Sequence, residues 1–173
     1  MHFLKQLVCL SILGVVVIDS KGYRLNVGII VFNSDGLLLW AKRRFNNDAW
    51  QFPQGGIKEG ETSLDAMYRE LDEELGLSPS AVELVQESAQ WYAYKLPNEF
   101  IRRHSHPVCI GQKQRWYLLK LLSDESDIDV TATEHPEFSE WRWVEYWQPH
   151  REVVHFKKQV YFDVLTEFES LVP

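Results

Sequence analysis

The sequence predicts an α+β domain, with helices packed on a mixed β-sheet. Strand-like runs rich in β-branched and aromatic residues occur in both halves of the chain. One strongly patterned helix lies between them, and helical spacing returns near the C-terminus. The length of 173 residues fits a single domain, since most domains hold roughly 100–200 residues.

The first element is an apolar run, Leu7 to Ile18 (LVCLSILGVVVI), behind His2 and Lys5. It has the outline of a signal peptide, but no small-x-small cleavage site follows, only Asp19-Ser20-Lys21. It is also too short for a bilayer, which needs roughly 20 apolar residues. Three readings stay open: a start assigned too far upstream, with Val15, Val16 or Val17 as the true initiator; an appended strand or helix; or export. The expected organisation is an extension over residues 1–18 and one main domain over 19–173. Tyr23 to Phe32 then reads as a strand, Asn33-Ser34-Asp35-Gly36 as a turn, and Gly36 to Ala41 as its hairpin partner. Arg115 to Leu122 and Glu140 to Val144 are further aromatic-rich strands. From Glu152 to Leu171, Val153, Phe156, Val160, Val164, Leu165 and Phe168 recur at the spacing of one closing helix.

Eighteen basic against 25 acidic residues give a net charge of −7. Such a chain does not coat nucleic acid non-specifically, which takes a surplus of Lys and Arg. An anionic substrate must be captured locally, by a basic patch or through metal ions. The two cysteines, Cys9 and Cys109, form neither a disulfide framework nor a cysteine zinc site. That usage fits a reducing, cytoplasmic setting.

The chemistry concentrates between Gly55 and Leu77 (GGIKEGETSLDAMYRELDEELGL). Thr62 with Asp65 forms a capping box, and Gly76 supplies the C-terminal stop. Leu64, Met67, Leu71 and Leu75 make an apolar stripe that seats this helix on a sheet. Glu70, Glu73 and Glu74 stand at i, i+3 and i+4, where like charges cost an isolated helix roughly 0.2–0.5 kcal/mol per pair. They also occupy the last turn, where the helix dipole favours cations. A hard divalent cation, Mg²⁺ or Mn²⁺, would resolve that conflict, because it takes carboxylate oxygens. A solvated acidic face is the plain alternative for three glutamates taken alone.

The whole segment resembles the Nudix box. Gly55, Glu61, Arg69, Glu70, Leu71, Glu73, Glu74, Gly76 and Leu77 fill its fixed positions. The flanks Gly22-Tyr23-Arg24, Trp50 to Gly56, Tyr94 to Pro97, Cys109 to Gln114, Pro136-Glu137-Phe138 and Trp141 to Val144 are similar to the bacterial RNA pyrophosphohydrolases of that family. The resemblance runs from about Gly22 to Phe168; the loop Arg44 to Asp48 stands out as one residue longer than usual.

This resemblance implies an α/β/α sandwich and an enzyme that removes pyrophosphate from the 5′ end of triphosphorylated (or diphosphorylated) RNA. The product is a 5′-monophosphate that ribonucleases attack more readily, and neither DNA nor a membrane is implied as a partner. It implies Glu70, Glu73, Glu74 and Glu137 as metal ligands, most simply for Mg²⁺, with Arg69 orienting the glutamates. Arg24 and Arg43 would contact the 5′ phosphates and first nucleotides, while Val154, Phe156 and Lys157 would pocket a base. Val154 and Phe156 fit the core face of the closing helix equally well. Glu137 could equally be an ordinary loop glutamate. A dinucleoside polyphosphate hydrolase is the alternative activity, since it shares the box and the reaction.

Overall fold

The computed structural model describes residues 15–45 and 49–173. The apolar run before Val15 and residues 46–48 of the Arg44–Asp48 loop lie outside the described residues. The chain forms one eight-stranded mixed sheet. Its strands are β1 (Tyr23–Phe32), β2 (Leu38–Arg43), β3 (Trp50–Gln51), β4 (Gln54–Gly56), β5 (Val82–Glu87), β6 (Tyr92–Lys95), β7 (Gly111–Leu121) and β8 (Phe138–Val144). The helices are α1 (Ser63–Leu75), α2 (Gln148–Glu152) and α3 (Lys158–Phe168).

Strand β1 is the spine. It runs parallel to β7 from Tyr23↔Gly111 to Phe32↔Lys120. On its other edge it holds β4 through Asn26↔Gly56 to Gly28↔Gln54 and meets β2 at Phe32↔Leu38. The alternation of β1 divides the core. Val27, Ile29 and Val31 face Met67, Leu71 and Leu75 of α1, whereas Ile30 and Phe32 join Tyr161, Val164, Leu165 and Phe168 of α3. Helices therefore cover both faces of a mixed sheet, which is the expected sandwich.

Helix α1 starts and stops where its sequence predicts. Thr62 caps it by accepting from the Asp65 N–H at 3.1 Å. Gly76 ends it in the left-handed region at φ 66°, with its N–H on the Asp72 carbonyl. Leu64 departs from the predicted stripe: it is 40% exposed, and Ala66 packs in the core with Met67, Leu71 and Leu75 instead.

The closing segment is not one helix. It breaks after α2, because Val153 and Val154 are extended, and a single 3₁₀ turn over His155–Lys157 leads into α3. Cys109 lies half-buried just ahead of β7 with its thiol toward the Gly111 carbonyl. Short strands β3 to β6 carry too few residues for a periodic signal, and the sequence does not announce them. Val15 to Ile18 add a strand-like strip to the domain. Val17 N–H donates to the Ile57 carbonyl, Leu25 N–H to Val17 and Glu59 N–H to Val15, at 2.9–3.1 Å.

Candidate active site

The C-terminal half of α1 is pressed against β4 and the loop that follows it, and this contact builds the site. Gly55 permits it: a Cβ there would lie 1.7 Å from Cδ of Glu70. Glu70 and Glu74 are consequently buried, while Glu73 faces solvent. The Gln54 backbone N–H donates to Glu74 Oε2 at 2.8 Å, and Glu74 Oε1 is buried with no hydrogen-bond partner among the described residues.

Arg69 organises the other carboxylates. Its Nε and Nη2 donate to the two oxygens of Glu61 at 2.7 and 2.9 Å, a bidentate pair. Nη2 also donates to the Gly56 carbonyl at 2.9 Å. Nη1 reaches Glu70 Oε1 at 2.5 Å and Glu73 Oε2 at 3.3 Å. Glu61 is thus a site residue whose role the sequence does not reveal, although its fixed place in the box is a signal that points to one. Its carboxyl is held below the ordinary range, chiefly by the Arg69 hydrogen bonds. Lys58 adds a second cation, 3.9 Å from Glu73.

Glu137 arrives from the loop before β8, and the Arg44 N–H donates to its carbonyl at 2.9 Å. Burial pushes the Glu70 carboxyl up to about 7 against the pull of Arg69, with Glu73 and Glu137 adding repulsion. Burial likewise raises Glu74 well above the usual range, reinforced by Glu137 and Glu70. Burial and mutual repulsion with Glu137 therefore both disfavour the charged forms of Glu70 and Glu74.

Beside this cluster lies a buried polar layer that sequence reading missed. Gln54 Oε1 accepts from Lys157 Nζ at 3.0 Å and from Gln114 Nε2 at 3.3 Å. Lys157 Nζ also donates to Gln51 Oε1 at 3.0 Å and lies 5.6 Å from the Tyr94 ring centroid. Lys157 is 6% exposed. Burial depresses its ammonium to about 7, with Arg43 adding to the effect and Glu74 and Glu137 opposing it. The Tyr94 hydroxyl donates to Gln112 Oε1 at 2.7 Å. Glutamines give no periodic or charge signal, so only folding collects them.

Phe156 is half-buried, 5.7 Å from the Tyr94 ring and 6.0 Å from Phe100. Val154 is half-buried against the α3-side core. Both residues thus pack on the core and still reach the surface. Arg24 approaches from β1: its Nε is buried with no hydrogen-bond partner among the described residues, and its Nη2 would lie 2.5 Å from a Cβ on Gly56. The predicted residues accordingly form two adjoining groups, one of carboxylates and one of aromatic and cationic side chains, with Gln54 touching both.

Fold and site together define a class. Residues 22–164 match the NUDIX domain model, and the chain belongs to the Nudix family. It is 55% identical over 151 residues to the RNA pyrophosphohydrolase of Pseudoalteromonas translucida, covering 87% of each chain. It is 54% identical over 155 residues to the protein of that name from Pasteurella multocida, covering 90% of this chain and 78% of the relative. Among solved structures it resembles the Escherichia coli dihydroneopterin triphosphate pyrophosphohydrolase, with TM-score 0.67 and 20% identity over 83% of this chain and 95% of that one. It also resembles a Caenorhabditis elegans Ap4A hydrolase, with TM-score 0.60 and 15% identity over 84% and 98%. At those identities the two structures show the fold alone.

Nudix hydrolases work with a divalent metal ion, and the donor chemistry here fits one. The oxygens are hard, one of them, Glu74 Oε1, is buried with no hydrogen-bond partner among the described residues, and the carboxylates repel one another. As placed, no three acidic, histidine or cysteine side chains among the described residues converge on one point. Arg69 instead pairs with Glu70 and Glu73.

Proposed function

We propose that this chain is an RNA pyrophosphohydrolase that removes pyrophosphate from the 5′-triphosphate end of RNA, leaves a 5′-monophosphate and so promotes mRNA degradation. The observation that carries the reading is the identity of 54–56% to proteins named RNA pyrophosphohydrolase over nearly nine-tenths of the chain. The geometry agrees, because an aromatic and cationic pocket adjoins the carboxylates through Gln54. No described helix is long and apolar enough to cross a membrane, and the proposed setting is the cytoplasm.

Glu70, Glu73, Glu74 and Glu137 would hold the divalent ion, most simply Mg²⁺, which neutralises phosphate charge and acidifies water. The chain does the rest. The Gln54 N–H fixes Glu74, and Arg69, itself clamped by Glu61, sets Glu70 and Glu73. Water adds to phosphorus, the bond to the leaving phosphate oxygen breaks, and pyrophosphate departs while a carboxylate takes the water's proton. Arg24 and Arg43 offset the phosphate charge, and Val154, Phe156 and Lys157 receive a base.

Dinucleoside polyphosphate hydrolysis is the alternative, and here it has only the shared fold behind it. Mass analysis of products from a short triphosphorylated RNA with Mg²⁺ decides between them. The expected products are the monophosphorylated RNA and pyrophosphate. Intact RNA alongside cleaved diadenosine tetraphosphate would overturn the reading.

A further inference from the structure

The loop between β6 and β7 carries features that the site above leaves unused. Phe100 is 41% exposed, although its ring lies 6.0 Å from Phe156. Just beyond it, a surface hollow of about 480 Å³ is lined by Ile101, Arg102, Arg103, His104 and Ser105. Arg103 Nη2 donates to Asn98 Oδ1 at 3.5 Å. Neither guanidinium pairs with a carboxylate among the described residues. The one acidic neighbour in this turn, Glu99, is exposed. Two arginines with no carboxylate partner among the described residues, on a chain of net charge −7, make a local reversal of sign that follows Phe100 in sequence.

From this juxtaposition we infer that Phe100, Arg102 and Arg103 form a second RNA-binding subsite, which takes the phosphodiester chain downstream of the base on Phe156. The inference rests on the RNA reading of the active site. Single strands are held by just this combination, an aromatic platform beside cations that track the backbone. Phe100 continues the ring series Tyr94–Phe156–Phe100, and the arginines follow it by two and three residues. The guanidiniums would make charge-assisted bonds to successive phosphates. RNA long enough to reach the loop should therefore be a better substrate than a dinucleotide.

The test compares triphosphorylated oligoribonucleotides of two and six nucleotides on the full chain and on Arg102→Gln/Arg103→Gln. The parent should favour the longer RNA in kcat/KM by about tenfold, and the double variant should bring that ratio close to one. The salt slope on the longer RNA should flatten by about 0.7 for each phosphate that the arginines no longer neutralise. An undiminished ratio in the variant would overturn the subsite, as would equal losses on both lengths. Fluorescence anisotropy of a labelled, monophosphorylated six-nucleotide RNA separates this outcome from failure of the RNA reading. Arginine-dependent binding without cleavage would sink the activity and keep the subsite, whereas normal cleavage with arginine-independent binding would do the reverse.

Discussion

A methyl group at Gly55 would sit 1.7 Å from Cδ of Glu70, so the site's architecture depends on a side chain that is missing. Gly55→Ala must push Glu70 or α1 aside, and turnover should fall at least ~10²-fold, the scale of losing preorganised charge stabilisation. A circular dichroism melt would show that the fold survives. Glu70→Gln or Glu73→Gln should likewise lower turnover by at least ~10²-fold under saturating Mg²⁺, and near-normal turnover in either would remove that glutamate from the mechanism. Protonation of buried groups gives a stability signature in metal-free buffer. The folded chain favours neutral Glu70, whose carboxyl rises from 4.5 to about 7. It then holds more protons than the unfolded chain across that window, and stability falls as pH rises through it. Lys157 acts in the next window, since its ammonium drops from 10.5 to about 7. There the unfolded chain holds more protons, so stability rises with pH from about 7 to about 10.5. Denaturant melts should show that rise flattened in Lys157→Met, and parallel curves would refute the assignment.

Under the proposed function, substrate choice turns on the 3₁₀ turn over His155–Lys157. Had the segment continued as one helix, Phe156 and Lys157 would follow a regular helical path over the α3-side core. The break turns Phe156 toward Tyr94 and Phe100 and buries Lys157 among Gln51 and Gln54. Stacking of one base is worth ~1–3 kcal/mol, so Phe156→Ala should cut RNA cleavage by roughly 5- to 150-fold. Hydrolysis of a lone nucleoside triphosphate should change far less, and equal losses on both would mean a purely structural ring. Lys157 differs from a surface cation in its expected effect. Its hydrogen bonds go to the amides of Gln51 and Gln54 inside the fold, so its loss should disturb their arrangement more than the salt dependence. The strip Val15–Ile18 makes a further elemental prediction. A chain beginning at Val17 keeps that residue's bonds to Ile57 and Leu25 and should be soluble and active. Removal through Ile18 breaks them and should lower the melting temperature.

Across the whole molecule, the sandwich brings together residues as distant in sequence as Gln54 and Lys157, or Glu70 and Glu137. Chelation should abolish RNA cleavage, and restoring a divalent ion should recover it, as monitored by pyrophosphate release. The carboxylate pattern of α1, its Thr62 cap and its Gly76 stop were legible in the sequence, because helix geometry ties i, i+3 and i+4 to one region of surface. Strands β1, β7 and β8 were legible because apolar and β-branched runs report burial directly. The α+β class followed from the order of these elements, and the α/β/α arrangement from the likeness to the Nudix box. Short strands β3 to β6 were not legible, since two to six residues held by long-range pairing carry little periodicity of their own. Neither was the break at Val153 and Val154, where packing overrides an otherwise helical spacing. By itself the sequence determined the local elements, the acidic constellation and the family they announce. Tertiary structure alone decided that Glu61 clamps Arg69, that Gln54 joins the carboxylates to Lys157, and that Lys157 is buried. Those partners stand 8 to 103 residues apart along the chain, and groups that distant are chosen by packing rather than by neighbouring sequence.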